Sequence, residues 1–233
     1  MNAPGKLAAP ITVELTHATV RFTGRADGDL GRTDGLAPGN AVLASRAALV
    51  ERFGLLGISV PHQVHGASVA DIDRVEGYAV GAVTADGAVT CERGTAVAVH
   101  VADCLPIAVA GEGAVAMLHG GWRGLAAGVI GEGVEALRAL GVDGALEAAI
   151  GPGAGGCCYE TGPEVHAAFA GYGASIGRRL DLAAIAAAQL REAGVVAVSD
   201  VGVCTLCAPA GMLFSHRRDG PDTGRQAGIA WLR

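Results

Sequence analysis

Val115-Ala116-Met117-Leu118-His119-Gly120-Gly121-Trp122-Arg123-Gly124 carries the chain from one kind of structure into another. The first four residues read as a short buried strand. From Leu125 to Leu140 the apolar spacing predicts an amphipathic helix. Between them lie a histidine, three glycines, one of only two tryptophans, and an arginine. Glycines at such a junction let the backbone approach a ligand closely. The start of the helix offers unpaired N–H groups to an anion, and a histidine at the strand's end can point into the same opening. The residues also fit a tight turn with a core histidine and a packed tryptophan, so the choice rests on the rest of the chain.

Upstream, Thr95–Val101 is a β-rich run that ends at Ala102-Asp103-Cys104-Leu105-Pro106. A carboxylate and a thiol where a buried strand is halted by proline suit rigidly held site residues; a buried cysteine beside a capping aspartate is the plainer alternative. Ile107–Ala110 and Ala114–Leu118 are further strands about a glycine turn. Ile11 to Gly24 alternates as a strand pair. Arg25 to Asn40 reads as a loop, and Ala41–Phe53 as a helix with Val42, Leu49, Val50 and Phe53 on its apolar side. Pro61 is followed by a predicted strand from His62 to Val69, which puts His62 and His65 on opposite faces, so only one of them is expected in a site. Thr84–Thr90 reads as a turn and a short strand.

Downstream, the strand Leu146–Ile150 enters a loop with a GxGxxG match at Gly151, Gly153 and Gly156. A dinucleotide fingerprint needs a helix to open there. Here Cys157 to Gly162 intervenes, so the reading is a close-packed glycine loop. Helices follow at Pro163–Phe169 and Asp181–Ala193, the second capped by Asp181. Val195–Val201 and Gln226–Leu232 are strands. No repeat or linker divides the chain. One domain is expected over residues 1–233, with residues 1–10 as a flexible N-terminus.

The 233 residues are 51% hydrophobic and 17% charged, which excludes a disordered chain. With 37 glycines and few aromatics, alanine and valine must fill much of the core. No apolar run reaches the length of a bilayer span, and the start lacks a signal-peptide pattern, so a soluble cytoplasmic protein is expected. The net charge of -6 and the absence of a basic stripe argue against a nucleic-acid partner. A small anion gripped by a few arginines stays open, and Arg217-Arg218 in a polar turn reads either as a solvated face or as a phosphate clamp, which arginine's planar fork suits. The six cysteines are Cys91, Cys104, Cys157, Cys158, Cys204 and Cys207. Disulfides are not expected in so core-rich a chain. Cys204-Thr205-Leu206-Cys207 is half of a structural zinc site, but the adjacent Cys157 and Cys158 make poor partners for one tetrahedral ion, so no such site is expected.

Taken together, Gln63-Val64-His65-Gly66, Ala85-Asp86, Ala102-Asp103-Cys104-Leu105-Pro106, His119-Gly120-Gly121-Trp122-Arg123-Gly124, Ile150-Gly151-Pro152, Cys158-Tyr159-Glu160, Cys204-Thr205 and Phe214 to Asp219 form an ordered set. It closely resembles the laccase-domain, or polyphenol-oxidase-like, family of purine nucleoside phosphorylases with adenosine deaminase side activity. The resemblance runs from about Phe22 to the C-terminus. It implies an α+β fold, an αββα sandwich of mixed sheets with outer helices. It implies His65, Cys104 and His119 as zinc ligands. Two imidazoles and a thiolate leave a tetrahedral ion one open position, the pattern of a catalytic zinc. It implies Cys104, Asp103 and Arg218 as catalytic residues, with Asp103 a proton carrier or, preferably, an orienter of a ligand histidine. Arg25, Arg217, Arg218 and Gln63 are implied for phosphate or substrate. Where the family usually has a glycine pair and a serine after the arginine, Arg25 is followed by Ala26-Asp27-Gly28-Asp29.

Adenosine, inosine or methylthioadenosine with phosphate are the expected substrates, and a monomer or weak homodimer without membrane contact is the expected state. Copper-dependent phenol oxidation is the first alternative; seven histidines with no HxH pair count against it. A hydrolase or deamidase with Cys104 as nucleophile and His119 as base is the second. A non-enzymatic binding module would need no ligand trio.

Overall fold

In the computed structural model, residues 10–32 and 38–233 are described. The expected flexible N-terminus therefore lies almost entirely outside the described residues, as does part of the loop before the first helix.

In the first half of the chain the strands are β1 (Ile11–Glu14), β2 (Ala18–Phe22), β3 (Gly57–His62), β4 (Val69–Asp71), β5 (Gly77–Thr84), β6 (Gly87–Thr90) and β7 (Thr95–Val101). Then come β8 (Leu105–Gly111), β9 (Ala114–Gly120), β10 (Leu146–Ile150), the short pair β11 (Ser175–Ile176) and β12 (Arg179–Leu180), β13 (Val195–Asp200) and β14 (Gln226–Leu232). The helices are α1 (Asn40–Phe53), α2 (Trp122–Ala126), α3 (Val129–Ala139), α4 (Pro163–Ala168), α5 (Leu182–Glu192) and α6 (His216–Asp219). Two six-stranded mixed sheets form, in the orders β1-β2-β14-β7-β3-β5 and β13-β10-β8-β9-β6-β4.

The central strands β7, β8 and β9 are buried at every position. Their two faces go to different cores because side chains alternate along a strand. Val97 and Val99 of β7, Ala108 and Ala110 of β8, and Val115 and Met117 of β9 share the core between the sheets. The other face of the second sheet, with Ile107, Val109, Ala116 and Leu118, packs on Ile130 and Leu137 of α3 and Ile185 and Leu190 of α5. The other face of the first sheet, with Ile58, Val60, Ala96 and Ala98, packs on Leu49 of α1. The expected αββα sandwich is therefore present. Alanine between the sheets lets them approach with few aromatics, as the composition required. Among the described residues no helix is long and apolar enough to cross a membrane.

Three local expectations are corrected. The helix expected from Leu125 to Leu140 is two helices, starting earlier at Trp122 and broken at Gly128, whose φ of 92° is open to glycine. The strand expected from His62 to Val69 stops at His62 and resumes only at Val69. The eight-residue strand β5 was not anticipated; glycines at Gly77 and Gly81 interrupt its apolar residues, and no position of it is fully buried.

Candidate metal centre

Three crossings of the chain between the sheets converge at one end of the sandwich. Residues 63–68 link β3 to β4, residues 85–86 link β5 to β6, and residues 102–104 link β7 to β8. The end of β9 meets them there. His119 has the same parity as Val115 and Met117, which places it on the inter-sheet face.

One donor atom from each of His65, Cys104 and His119 lies within 4.8 Å of the other two. His65 Nε2 is 3.9 Å from Cys104 Sγ, and the two imidazole rings stand edge-on with centroids 4.7 Å apart. A tetrahedral zinc with the usual Zn–N and Zn–S bonds spaces such an N···S pair by about 3.6 Å, so this set fits one ion. Gly121 makes the approach possible: a Cβ there would sit 3.2 Å from both Cys104 Sγ and His65 Cδ2. Gly124 does the same one turn on, where a Cβ would lie 2.8 Å from the Gly66 carbonyl oxygen.

Asp86 is the hub that sequence reasoning did not assign. It is fully buried. One oxygen accepts the His65 N–H at 2.8 Å and bonds His119 Nδ1 at 2.9 Å. The other accepts the Gly66 and Val64 N–H groups at 2.6 and 3.2 Å. These bonds hold His65 at a φ of 62°, in the left-handed region where a non-glycine residue needs such support. They also commit Nδ1 of His119, leaving Nε2 for the cleft. Its signals in the sequence were an acidic residue before a glycine turn and a place, as Ala85-Asp86, among the ordered motifs.

The electrostatics follow. Burial opposes charge on all three groups, and the partners outweigh it. The Cys104 thiol falls to about 6, drawn down by the charge and hydrogen bonding of His119 and then His65. His119 rises to about 9 beside Cys104 and Asp86. Asp86 is held below the usual carboxylate range by His119 and the amides. In the absence of a metal these directions favour a thiolate at Cys104 beside an imidazolium at His119.

The trio opens on a cleft of about 370 Å³ whose walls include Arg32, Arg123, Arg217, Arg225, Tyr159 and Gln63. Arg123 stacks over Trp122 and Arg217 over Tyr159, each with its guanidinium carbon 4.4 Å from the ring centroid. Gln63 exchanges two hydrogen bonds with the His100 backbone, at 2.8 and 2.9 Å. His100 itself bonds the Gly31 carbonyl and the Tyr78 hydroxyl, and burial holds it near 3, as a neutral structural residue.

The structure separates the other expected residues. Asp103 lines the cleft at a φ of 95°, but its carboxylate accepts the Thr205 hydroxyl at 2.6 Å and the Arg217 N–H at 2.8 Å. The histidine-orienting bond expected of Asp103 belongs to Asp86. Arg218 is turned away from the cleft. Its five N–H donors go to Asp219 twice and to the Thr205, Ala208 and Leu213 carbonyls. That exhausts a guanidinium, so the phosphate grip expected of Arg218 is corrected to a staple of its own loop. Arg25 is likewise tied to Asp219 at 2.6 Å and to the Leu213 carbonyl, over the Phe214 ring. Of the expected arginines only Arg217 reaches the cleft; Arg32, Arg123 and Arg225 were not singled out for phosphate.

A family model described as multi-copper polyphenol oxidoreductase laccase matches residues 29–233. A purine nucleoside phosphorylase of Xylella fastidiosa is 41% identical over 226 residues, covering 88% of this chain and 84% of its own. Another from Streptomyces coelicolor is 38% identical, covering 88% and 87%. A solved structure from Neisseria meningitidis superposes with a TM-score of 0.81 at 29% identity, covering 96% of this chain and 98% of the other. That of YlmD from Geobacillus stearothermophilus gives 0.79 at 28%, covering 94% and 93%.

Proposed function

We propose that this chain, which belongs to the multi-copper polyphenol oxidoreductase laccase family, is a zinc-dependent purine nucleoside phosphorylase. It would convert adenosine, inosine or methylthioadenosine and phosphate into free base and pentose 1-phosphate. Relatives named purine nucleoside phosphorylase support this. The observation that carries it is one cleft with His65, Cys104 and His119 at its base and four arginines on its walls. Its volume of about 370 Å³ suits a small-molecule ligand.

In phosphorolysis the bond from the sugar's anomeric carbon to the purine breaks, and its electron pair leaves with the base. A phosphate oxygen forms the new bond to that carbon, and the proton that hydrogen phosphate gives up goes, directly or through solvent, to the departing base. The protein must hold phosphate in line and stabilise the departing charge. A zinc ion held by His65, Cys104 and His119 supplies, when bound, a Lewis acid with one position open to substrate. Asp86 keeps His119 in the tautomer whose Nε2 faces the cleft. Arg217 is the phosphate residue, with Arg32, Arg123 and Arg225 adding positive charge around it. Asp103 positions Arg217 through its backbone and moves no proton. Gln63 shapes the purine side of the wall. Deamination of adenosine is a side activity of the same cleft: water adds at the amino-bearing ring carbon and ammonia leaves.

A panel of purine nucleosides assayed with and without phosphate tests the proposal. Phosphate-dependent base release with pentose 1-phosphate as co-product is the expected result; base release indifferent to phosphate overturns it. Among the described residues the donor groups of three or more are this trio and a set of four cysteines. Neither is the paired-histidine set of multicopper oxidation. The thiolate–imidazolium pair favours a second reading, a cysteine hydrolase. Chelation separates the two, because stripping the metal ends phosphorolysis and spares a Cys104 nucleophile.

A further inference from the structure

Five of the six cysteines take no part in that chemistry, and four of the five gather in one place. Cys157 and Cys158 lie in the turn after β10, and Cys204 and Cys207 in the loop after β13. All are free thiols, and their four Sγ atoms lie within 4.8 Å of one another. The Cys207 sulfur is 3.0 Å from that of Cys158 and 3.4 Å from that of Cys157. Four thiolates around a tetrahedral zinc, at about 2.3 Å each, stand about 3.8 Å apart, within this spread. The adjacency of Cys157 and Cys158, which counted against such a site in the sequence, is resolved by the turn, which brings both sulfurs to Cys207.

The surrounding backbone is arranged for sulfur. The Gly155 N–H donates to Cys204 Sγ at 3.3 Å, and against the cost of burial the amides of Cys207, Gly155 and Leu206 draw the Cys204 thiol below its ordinary value. Amide donors around a sulfur suit the thiolate, which is the form that ligates a metal. A Cβ on Gly155 would lie 3.1 Å from Cys204 Cβ and 3.4 Å from Cys157 Sγ, so a side chain there would crowd the cradle. The two loops are also laced together: Gly153 N–H donates to the Val203 carbonyl at 3.2 Å, and Thr205 N–H to the Gly153 carbonyl at 2.9 Å.

We propose that Cys157, Cys158, Cys204 and Cys207 are a second metal site, which takes one zinc-class divalent cation in a closed four-thiolate shell. With no open position the ion is structural. The thiols give up their protons to solvent as they ligate, and no oxidant takes part. Cys157 and Cys207 are exposed, which gives the cation a way in. The ion clips two loops that build the cleft wall. Tyr159 follows Cys158 and lines the cleft. Thr205 follows Cys204 and donates to Asp103. The clip thus holds the supports of Arg217 from outside the cleft, and it stands whether or not the substrate is a nucleoside.

The test is metal content of the full chain expressed with zinc and purified without chelator. Cys207→Ser and Cys157→Ser are each expected to carry one zinc equivalent fewer than wild type, an equivalent that Cys104→Ser retains. Wild-type metal content in both cluster variants overturns the proposal. Should the variants fail to fold, native iodoacetamide labelling of the wild type with peptide mapping decides the matter. Cys157, Cys158, Cys204 and Cys207 are expected to react only after chelation, while exposed Cys91 reacts throughout. Labelling of all four without chelator, or recovery of a disulfide among them, overturns it. A Cys104→Ser variant with the same metal content as wild type, beside cluster variants that each lose one equivalent, would instead count against the zinc centre of the cleft.

Discussion

Asp86→Asn is the sharpest probe of the cleft, because it changes one atom type in a fully buried group. Asparagine keeps the shape, but one terminal oxygen becomes an NH₂ donor. Both positions already face donors. With the NH₂ at one position, the Val64 and Gly66 N–H groups lose their acceptor. With it at the other, the His65 N–H is orphaned and His119 Nδ1 must give up its proton. These bonds are part-buried, so each donor left unpaired costs about 1–2 kcal/mol, the lower part of the full penalty, and two cost about 2–4 kcal/mol. Even the lower figure drops the unfolding midpoint by about 4–8 °C for a chain of this length. The loosened His119 is expected to weaken metal binding about 10–100-fold, or about 1.4–2.7 kcal/mol. The pH dependence has a defined sign. The depressed Asp86 pKa contributes stability above the unfolded value of about 3.9 and loses it as pH falls through the folded value; the variant lacks this acid-side loss. Competition against a chromophoric chelator reads the affinity, and thermal unfolding of the metal-free protein reads the stability. A variant that binds zinc within about twofold of wild type, a change under about 0.4 kcal/mol, would refute the role given to Asp86.

Cys104→Ser is expected to lose the cleft's metal and phosphate-dependent base release together; full release from metal-free mutant protein would dismiss the zinc reading. In metal-free wild type the Cys104 alkylation rate should rise with pH through a midpoint of about 6, since the thiolate is the nucleophile. A midpoint near the ordinary thiol value would contradict the pair with His119. Arg217→Ala should raise the phosphate KM about ten- to a hundredfold, the worth of a charge-assisted hydrogen bond. Arg218→Ala should instead lower the unfolding temperature and leave that KM near wild type, because its donors serve its own loop. The reverse pattern in steady-state kinetics would restore Arg218 to the phosphate site.

Much of this protein was legible in the sequence because the information is local. The short apolar runs of Thr95–Val101 and Ala114–Leu118, Asp181 before a helix and the alternating strands near Ile11 specify elements through neighbouring residues alone. The family resemblance carried by the ordered motifs likewise implied His65, Cys104 and His119 as partners before any geometry was known. What a side chain faces is a different quantity, set by chain crossings far apart in sequence. Arg217 and Arg218 are neighbours of one type, yet α6 sends the first over Tyr159 and folds the second back onto its own loop carbonyls. Asp103 was the expected partner for a ligand histidine, and only the packing of the sheets brought Asp86 within 2.9 Å of His119 in its place. The four cysteines, two pairs separated by an entire βα excursion, became a cluster only when β10 and β13 paired side by side. Periodicity and residue chemistry thus determined which elements and which reactive groups the chain has; only the packing of two sheets decided which of those groups meet.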